Sequence, residues 1–354
     1  MDDSQRTSPE ATPTGGPVLW CLLAAALFGA STPASKPLVD ALGPLLLSGV
    51  LYLGAAVAVA PWALRGLGAL RTVDARNLLR LLGAVVFGGM IGPVLLLAGL
   101  ALAPAGSVSL WLNLETVATA ALAWLLFREH LDARVAVAVA LIVIASALLS
   151  PSIPDGGVAA GLVALACVAW GLDNNLTAVI DRFTPAQVTF AKGLVAGGVN
   201  TAAGLLTTTT AIDRGDVGLG LLIGAVSYGA SLLLYIAGAQ HLGATRSQLV
   251  FSTAPLWGLG LAWLALREPI EPAQLVAAAL MAAAIWLWHR ERHTHHHAHA
   301  PTVHRHWHRH DDGHHDHGHR APVPAGRWHS HEHAHEPVDH EHPHRPDLHH
   351  RHAH

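Results

Sequence analysis

The feature that most constrains this chain is a long apolar segment that it contains twice. The run AWLLFRE at residues 123–129 returns as AWLALRE at residues 262–268, 139 positions later. At that offset Ala98-Gly99 meets Ala237-Gly238 and Leu110 meets Leu249. Both copies are apolar and end in an Arg-Glu pair, as a helix does where it leaves lipid for water. A repeat of this kind fixes architecture before any other signal. It implies two related membrane halves with a path between them.

Composition points the same way. Hydrophobic residues make up 52% of the 354 and charged residues 13%, against roughly 25% charged in a soluble domain. Many of those charges fall after residue 289, so lipid must solvate most of what precedes them. The formal net charge of −3 gives no footing for nucleic acid; the expected partner is a lipid bilayer. Cys21 and Cys167 fall inside apolar runs, which excludes a disulfide framework. Lys occurs only at Lys36 and Lys192, while Arg, Ala, Leu and Gly are frequent. That bias fits a bacterial protein, here expected in the inner membrane.

Residues 1–16 are polar and read as a disordered cytoplasmic lead, without the positive n-region and cleavage site of a secretory signal. Ten apolar segments follow, near residues 17–34, 45–62, 78–101, 107–127, 133–149, 156–180, 186–206, 217–240, 245–266 and 273–288. Each approaches the length of about 20 residues that spans a hydrocarbon core of roughly 30 Å. With the N-terminus inside, the cytoplasmic connections carry Arg65, Arg71, Arg76, Arg80, Arg128, Arg134, Arg182 and Arg246. The outer ones carry only Lys36, Arg214 and Arg267. Basic residues gather on the cytoplasmic side, so both termini are expected there. Five segments in each of 17–150 and 156–290 is an odd number, which gives the halves opposite topology. The fold expected is an all-α integral membrane protein of ten helices in two inverted repeats. Gly88 with Gly92, Gly193 with Gly197, and Gly220 with Gly224 allow close helix packing.

Several runs resemble a known family. ALFGASTPASK at residues 26–36 and AWGLDN at residues 169–174 are similar to the first-helix signature of EamA-type transporters, in the drug/metabolite transporter superfamily. LNLETVATAALAWLLFRE (residues 112–129) and STAPLWGLGLAWLALRE (residues 252–268) resemble its fourth- and ninth-helix signatures. The family's Pro followed seven positions later by a basic residue is kept at Pro185 and Lys192. In the first half it becomes Pro44 and Leu51, and Thr116 stands where Pro commonly follows the acidic residue. The resemblance covers about residues 18–288. It implies ten helices in inverted repeats and the export or exchange of a small metabolite.

Ionisable groups at mid-helix cost roughly 2.5–3.5 kcal/mol on insertion scales and mark a pathway or a paired structural site. Glu115 lies well inside the fourth segment, whose next ionisable residues are Arg128 and Glu129 at its end. It is the candidate for binding a proton or a cationic substrate group; the alternative is a neutral carboxyl bonded to a neighbouring helix. Asp173 and Lys192 fall at matching depth in adjacent antiparallel segments, both roughly 10–12 Å from the inner boundary at about 1.5 Å per residue. Ser31 and Leu51 stand at the matched positions of the first half, so both charges are absent there together. Joint absence favours an ion pair over two substrate contacts. Asn113, Asn174, Asn175, Tyr228 and Gln248 complete the candidate polar set, read against their alternative role as interhelical hydrogen bonds.

Of 27 His, all but His130 and His241 lie from His289 onward. Residues 291–354 are too polar to bury a core and read as a disordered cytoplasmic tail. Its candidate metal ligands are His295, His296, His297, His299, His304, His306, His308, His310, His314, His315, His317 and His319. Neutral imidazole suits Zn, Ni or Co, and the lack of Cys or Met there argues against a Cu(I) site. The spacing is too irregular for one fixed zinc site, and no cofactor is required.

No nucleophile-base spacing appears within the helices, so the expectation is not an enzyme but a secondary transporter of a small solute. A carrier for a transition metal or its chelate is the alternative. A membrane-anchored metal buffer or sensor without transport is the reading from another class. A homodimer is compatible with all three.

Overall fold

The computed structural model describes residues 15–65, 74–127, 133–149, 155–180, 182–208, 211–242, 247 and 250–289. In the tail it describes residues 293–298, 302–308, 329–335 and 339–344. Every described element up to His289 is helical, and of the apolar segment expected near residues 245–266 the described helix is Ala254–Ala265. Among the described residues, five helices are long and apolar enough to cross a membrane.

The chain opens with α1 (Gly15–Gly29) and α2 (Ser31–Ala63), which run on with hardly a break. The sequence places a connection near residues 35–44. The structure instead continues helix through Leu42 and turns at Gly43 (φ 72°, ψ 157°). Gly alone enters that region without strain, so one residue makes the corner. Next come α3 (Ala75–Gly83), a π-helical stretch (Ala84–Ile91) and α4 (Gly92–Leu102). Asp74 caps α3 by accepting from the Asn77 backbone N–H at 2.7 Å, satisfying a donor the helix leaves orphaned.

The fourth segment is two pieces, α5 (Ala105–Trp111) and α6 (Leu114–Phe127). Between them the bonds tighten to three-residue spacing, Asn113 N–H to Leu110 O (3.1 Å) and Thr116 N–H to Asn113 O (3.1 Å). The half closes with α7 (Ala133–Leu149). The second half brings α8 (Gly156–Ala178), α9 (Pro185–Ala191), a π-helical stretch (Lys192–Ala196) and α10 (Gly197–Thr207). It continues with α11 (Arg214–Ile223), a π-helical stretch (Gly224–Ala230), α12 (Ser231–Leu242), α13 (Ala254–Ala265) and α14 (Pro272–His289).

The repeat is visible in this geometry. Offsetting by 139 carries Ala84–Ile91 almost onto Gly224–Ala230, so both copies are π-helical at one place. Residues 252–253, just before α13, form a turn as residues 112–113 do before α6. Glu268, the last residue of the second copy, bonds Ala105 at the start of the helix that ends in the first copy. These two helices therefore run antiparallel, with Gly258 beside Ser109 further along.

Glycines set the packing around α2. A Cβ on Gly193 would meet the Tyr52 carbonyl and Ala56, one on Gly197 would meet Leu53 N, and one on Gly224 would strike the Leu51 carbonyl. The stretch after Gly43 is thus clasped by helices of the second half at backbone distance, the close approach that small residues permit. The buried core follows this spine through Leu46, Leu47, Val50 and Leu51 to Leu96, Leu100, Leu110 and Trp111.

The tail holds four short strands, β1 (His293–Ala298), β2 (Thr302–His308), β3 (His329–His335) and β4 (Asp339–His344). β1 pairs with β4 and β2 with β3, both antiparallel. The register sets His304 opposite His333, His306 opposite His331 and His308 opposite His329. The sequence leads one to expect a chain without fixed structure here. Ladder hydrogen bonds need no apolar core, but a two-stranded ribbon is marginal in water, so little free energy separates the two descriptions.

Candidate functional site

Among the described residues, the polar groups singled out in the sequence converge, Asn113 excepted, where α2, α6, α8 and the π-helical stretches meet. The break at residues 112–113 makes α6 a half-helix that starts inside the bundle, and Glu115 is in its first turn. The positive end of a helix dipole favours a carboxylate, as at the discontinuous helices of many carriers. Ala254 stands at the same position of the second copy, so this acid belongs to one half alone.

Glu115 is half-buried, and its Oε1 accepts from Asn174 Nδ2 at 2.8 Å. The same amide nitrogen lies 3.2 Å from Thr119 Oγ1, one turn further along α6. Asn175 ties the helices together instead: buried, its Nδ2 donates to Thr119 O (3.1 Å) and Gly171 O (2.8 Å). The partner of Glu115 thus comes from α8, and it is neutral.

Asp173 and Lys192 form a salt bridge, Nζ to Oδ2 2.6 Å, with the carboxylate side chain 6% exposed. Thr177 donates to the other oxygen at 3.0 Å. The pair lies within electrostatic reach of Glu115. Two carboxylates and one ammonium therefore share the interior, and only the first carboxylate has a countercharge in contact.

The floor of this cluster is built by the π-helical stretch at Ala84–Ile91. Wider turns leave carbonyls free for side chains, which is why such stretches recur at functional sites. Gly88 O accepts from Tyr52 OH (2.6 Å) and from Trp170 Nε1 (3.0 Å). A Cβ at Gly88 would collide with the Asp173 carboxylate, so this glycine makes the room the ion pair occupies. Lys192 opens the second π-helical stretch and Tyr228 lies in the third.

Aromatic rings form the wall. Tyr52 and Tyr228 lie 5.9 Å apart between ring centroids, Tyr228 and Phe28 5.7 Å, Phe28 and Phe251 5.3 Å. Buried Ser31 stands beside the Tyr228 hydroxyl. Most of these groups are half-buried and Asn174 is exposed, so the cluster is reachable rather than sealed.

Asn113 is the exception. Buried, its Nδ2 donates to Leu110 O (3.1 Å) and contacts Met281 Sδ (3.2 Å) on α14; it turns away from Glu115, its neighbour two residues on. Gln248 and most of the tail lie outside the described residues, as do the side chains of the tail strands. Trp170, which the sequence offers as lining of an apolar pocket, donates to Gly88 O; Tyr52, Thr119 and Ser31 are site residues that the sequence did not single out. The only signal for them was the repeat, which aligns Gly89 with Tyr228 and so points at this level of the bundle.

Broken and π-helical segments around a reachable polar cluster, in an apolar bundle with an internal repeat, are features that membrane transporters share. The chain belongs to the EamA-like transporter family, whose pattern matches residues 16–150 and again 158–289. It is similar to an uncharacterized transporter of Methanothermobacter thermautotrophicus, 26% identical over 226 residues, covering 61% of this chain and 65% of that protein. The match thus spans just under two thirds of that relative's length. A solved crystal structure shares the fold with a TM-score of 0.58 at 17% identity, covering 77% of this chain and 95% of the other.

Proposed function

We propose that the protein is a secondary carrier that exports or exchanges a small organic solute by alternating access, with Glu115 as its coupling residue. In this reading the chain crosses the membrane ten times in two inverted halves, with both termini in the cytoplasm of a bacterial cell; the Arg distribution and the antiparallel packing of the two helices support it. The observation that carries the reading is the Glu115–Asn174 contact at a half-helix start, 2.8 Å long and open on the Asn174 side. A carboxylate held by a neutral amide gains or loses a proton with less disturbance than one locked to an ammonium. Asp173 and Lys192 are so locked and serve as the structural pair beside it.

Amide, hydroxyl, carboxylate and aromatic groups line the cluster, which suits an organic solute better than a bare transition metal. The tail supports the second reading. Its imidazoles bind Zn, Ni or Co, as a buffer or sensor attached to the carrier, or as the receiving end of a metal or metal-chelate carrier. A solute screen in membrane vesicles, with and without an imposed proton gradient, tests the first reading. Gradient-driven accumulation of an organic solute supports it. Flux of metal alone, lost when the tail is removed, favours the second.

A further inference from the structure

Far from this cluster, the two halves are fastened together at one end of the bundle. Glu268 follows α13, and its two carboxylate oxygens accept from the backbone N–H groups of Ala105 (2.7 Å) and Gly106 (2.9 Å). Ala105 is 0% exposed, and a buried N–H left unpaired is costly. On the other side of the Ala103-Pro104 corner, Lys36 Nζ donates to Leu100 O (2.6 Å) and Ala103 O (3.0 Å). One corner is thus held by an anion on the helix that starts and a cation on the helix that ends, each suited to the dipole it meets. Buried Gln274 adds a bond to Ser107 Oγ (3.1 Å) and is itself fixed by Trp263 Nε1 (2.9 Å). A cavity of about 270 Å³ lies beside these contacts, lined by Lys36, Ser107, Glu271 and Gln274 among others.

Arg267 is what aims the carboxylate. Its φ is 53°, in the left-handed region that a side-chain-bearing residue enters at a cost. The reversal brings Glu268 N–H back to Ala262 O (3.3 Å) and turns its side chain onto the facing half. The bond is the one that commonly closes a helix past a left-handed residue, and a residue with a side chain keeps that conformation only while surrounding contacts hold it.

We propose that Glu268 is the latch that keeps this end of the carrier shut, and that the strained Arg267 sets how readily it releases. The inference rests on the transport reading above, because only a carrier that alternates needs the start of the fourth helix to part from the end of the ninth. With the N-terminus inside, the latched end is the outer one.

A cysteine reporter tests it. Ser109 lies one turn below Gly106, is 1% exposed, and its hydroxyl has no partner among the described residues. Ser109→Cys therefore removes no bond, and native Cys21 and Cys167 are buried controls. In right-side-out vesicles a membrane-impermeant maleimide should label the reporter slowly. Adding Glu268→Gln, which trades two charge-assisted bonds for weaker ones, should raise the rate about tenfold with both native cysteines still protected. Adding Arg267→Gly keeps every latch contact, relieves the strain, and should lower the rate. An unchanged rate with Glu268→Gln overturns the latch. If that variant misfolds and exposes the native cysteines, Arg267→Gly decides by sign, and a rate that rises overturns it. Solute flux measured in the same vesicles separates the two ideas. A latch that opens without any flux refutes the transport reading alone, and flux with an unmoved reporter refutes the latch alone.

Discussion

The Lys192 ammonium lies 2.6 Å from the Asp173 carboxylate, between two helices of the second half, and the first half has neither charge. Removing one partner of such a pair leaves a bare charge inside the bundle and costs about 3–5 kcal/mol, whereas removing both costs much less. Asp173→Asn or Lys192→Gln alone should therefore strongly lower the thermal unfolding temperature in detergent. The double substitution should recover most of the loss. Additive losses would show that the two residues act separately.

Gly88 supplies the space for that pair, since a Cβ there would collide with the Asp173 carboxylate. Gly88→Ala should destabilise by about 1–3 kcal/mol, the usual cost of overpacking. Gly157→Ala, where nothing lies within 4 Å, should leave stability equal or slightly raised through helix propensity. Thermal unfolding of the two variants side by side checks this. Equal behaviour would remove Gly88 from the site.

The inverted plan predicts the side on which each connection lies. Reporter fusions at Ala69, between the second and third segments, and at Asp213, between the seventh and eighth, should report opposite faces of the membrane. The same face for both would break the two-fold arrangement.

Deleting the chain after Arg292 should abolish binding of Zn, Ni or Co by the detergent-solubilised protein, read by equilibrium dialysis. Organic-solute flux in vesicles should continue at the wild-type rate. Loss of that flux on deletion would join the tail to the carrier and favour metal as cargo.

Much of this architecture is legible in the sequence because lipid leaves few choices. Long apolar runs must be helices, and AWLLFRE repeated as AWLALRE gives the two-fold plan. The Asp173–Lys192 contact follows from equal depth and joint absence, and Glu115 from its isolation. Other features stay hidden for physical reasons. Nothing in Leu110–Glu115 contains Pro or Gly, so the break before α6 comes from tertiary packing and leaves no local mark. The bonds from Tyr52 and Trp170 to Gly88 O in the first π-helical stretch likewise join residues far apart in the chain. The bonds from Glu268 to Ala105 and Gly106 span more than 160 positions, beyond any spacing rule. Asn113 shows the reverse error: two residues from Glu115 in sequence, it packs against Met281 on another side of the helix.

Gradient-driven flux through Glu115→Gln is the most direct measurement of the central claim. Glutamine keeps the size of the side chain and the bond from Asn174 but cannot take up or release a proton. In vesicles holding equal amounts of folded protein, proton-driven accumulation of the solute should fall to background. Undiminished accumulation would contradict the role assigned to Glu115.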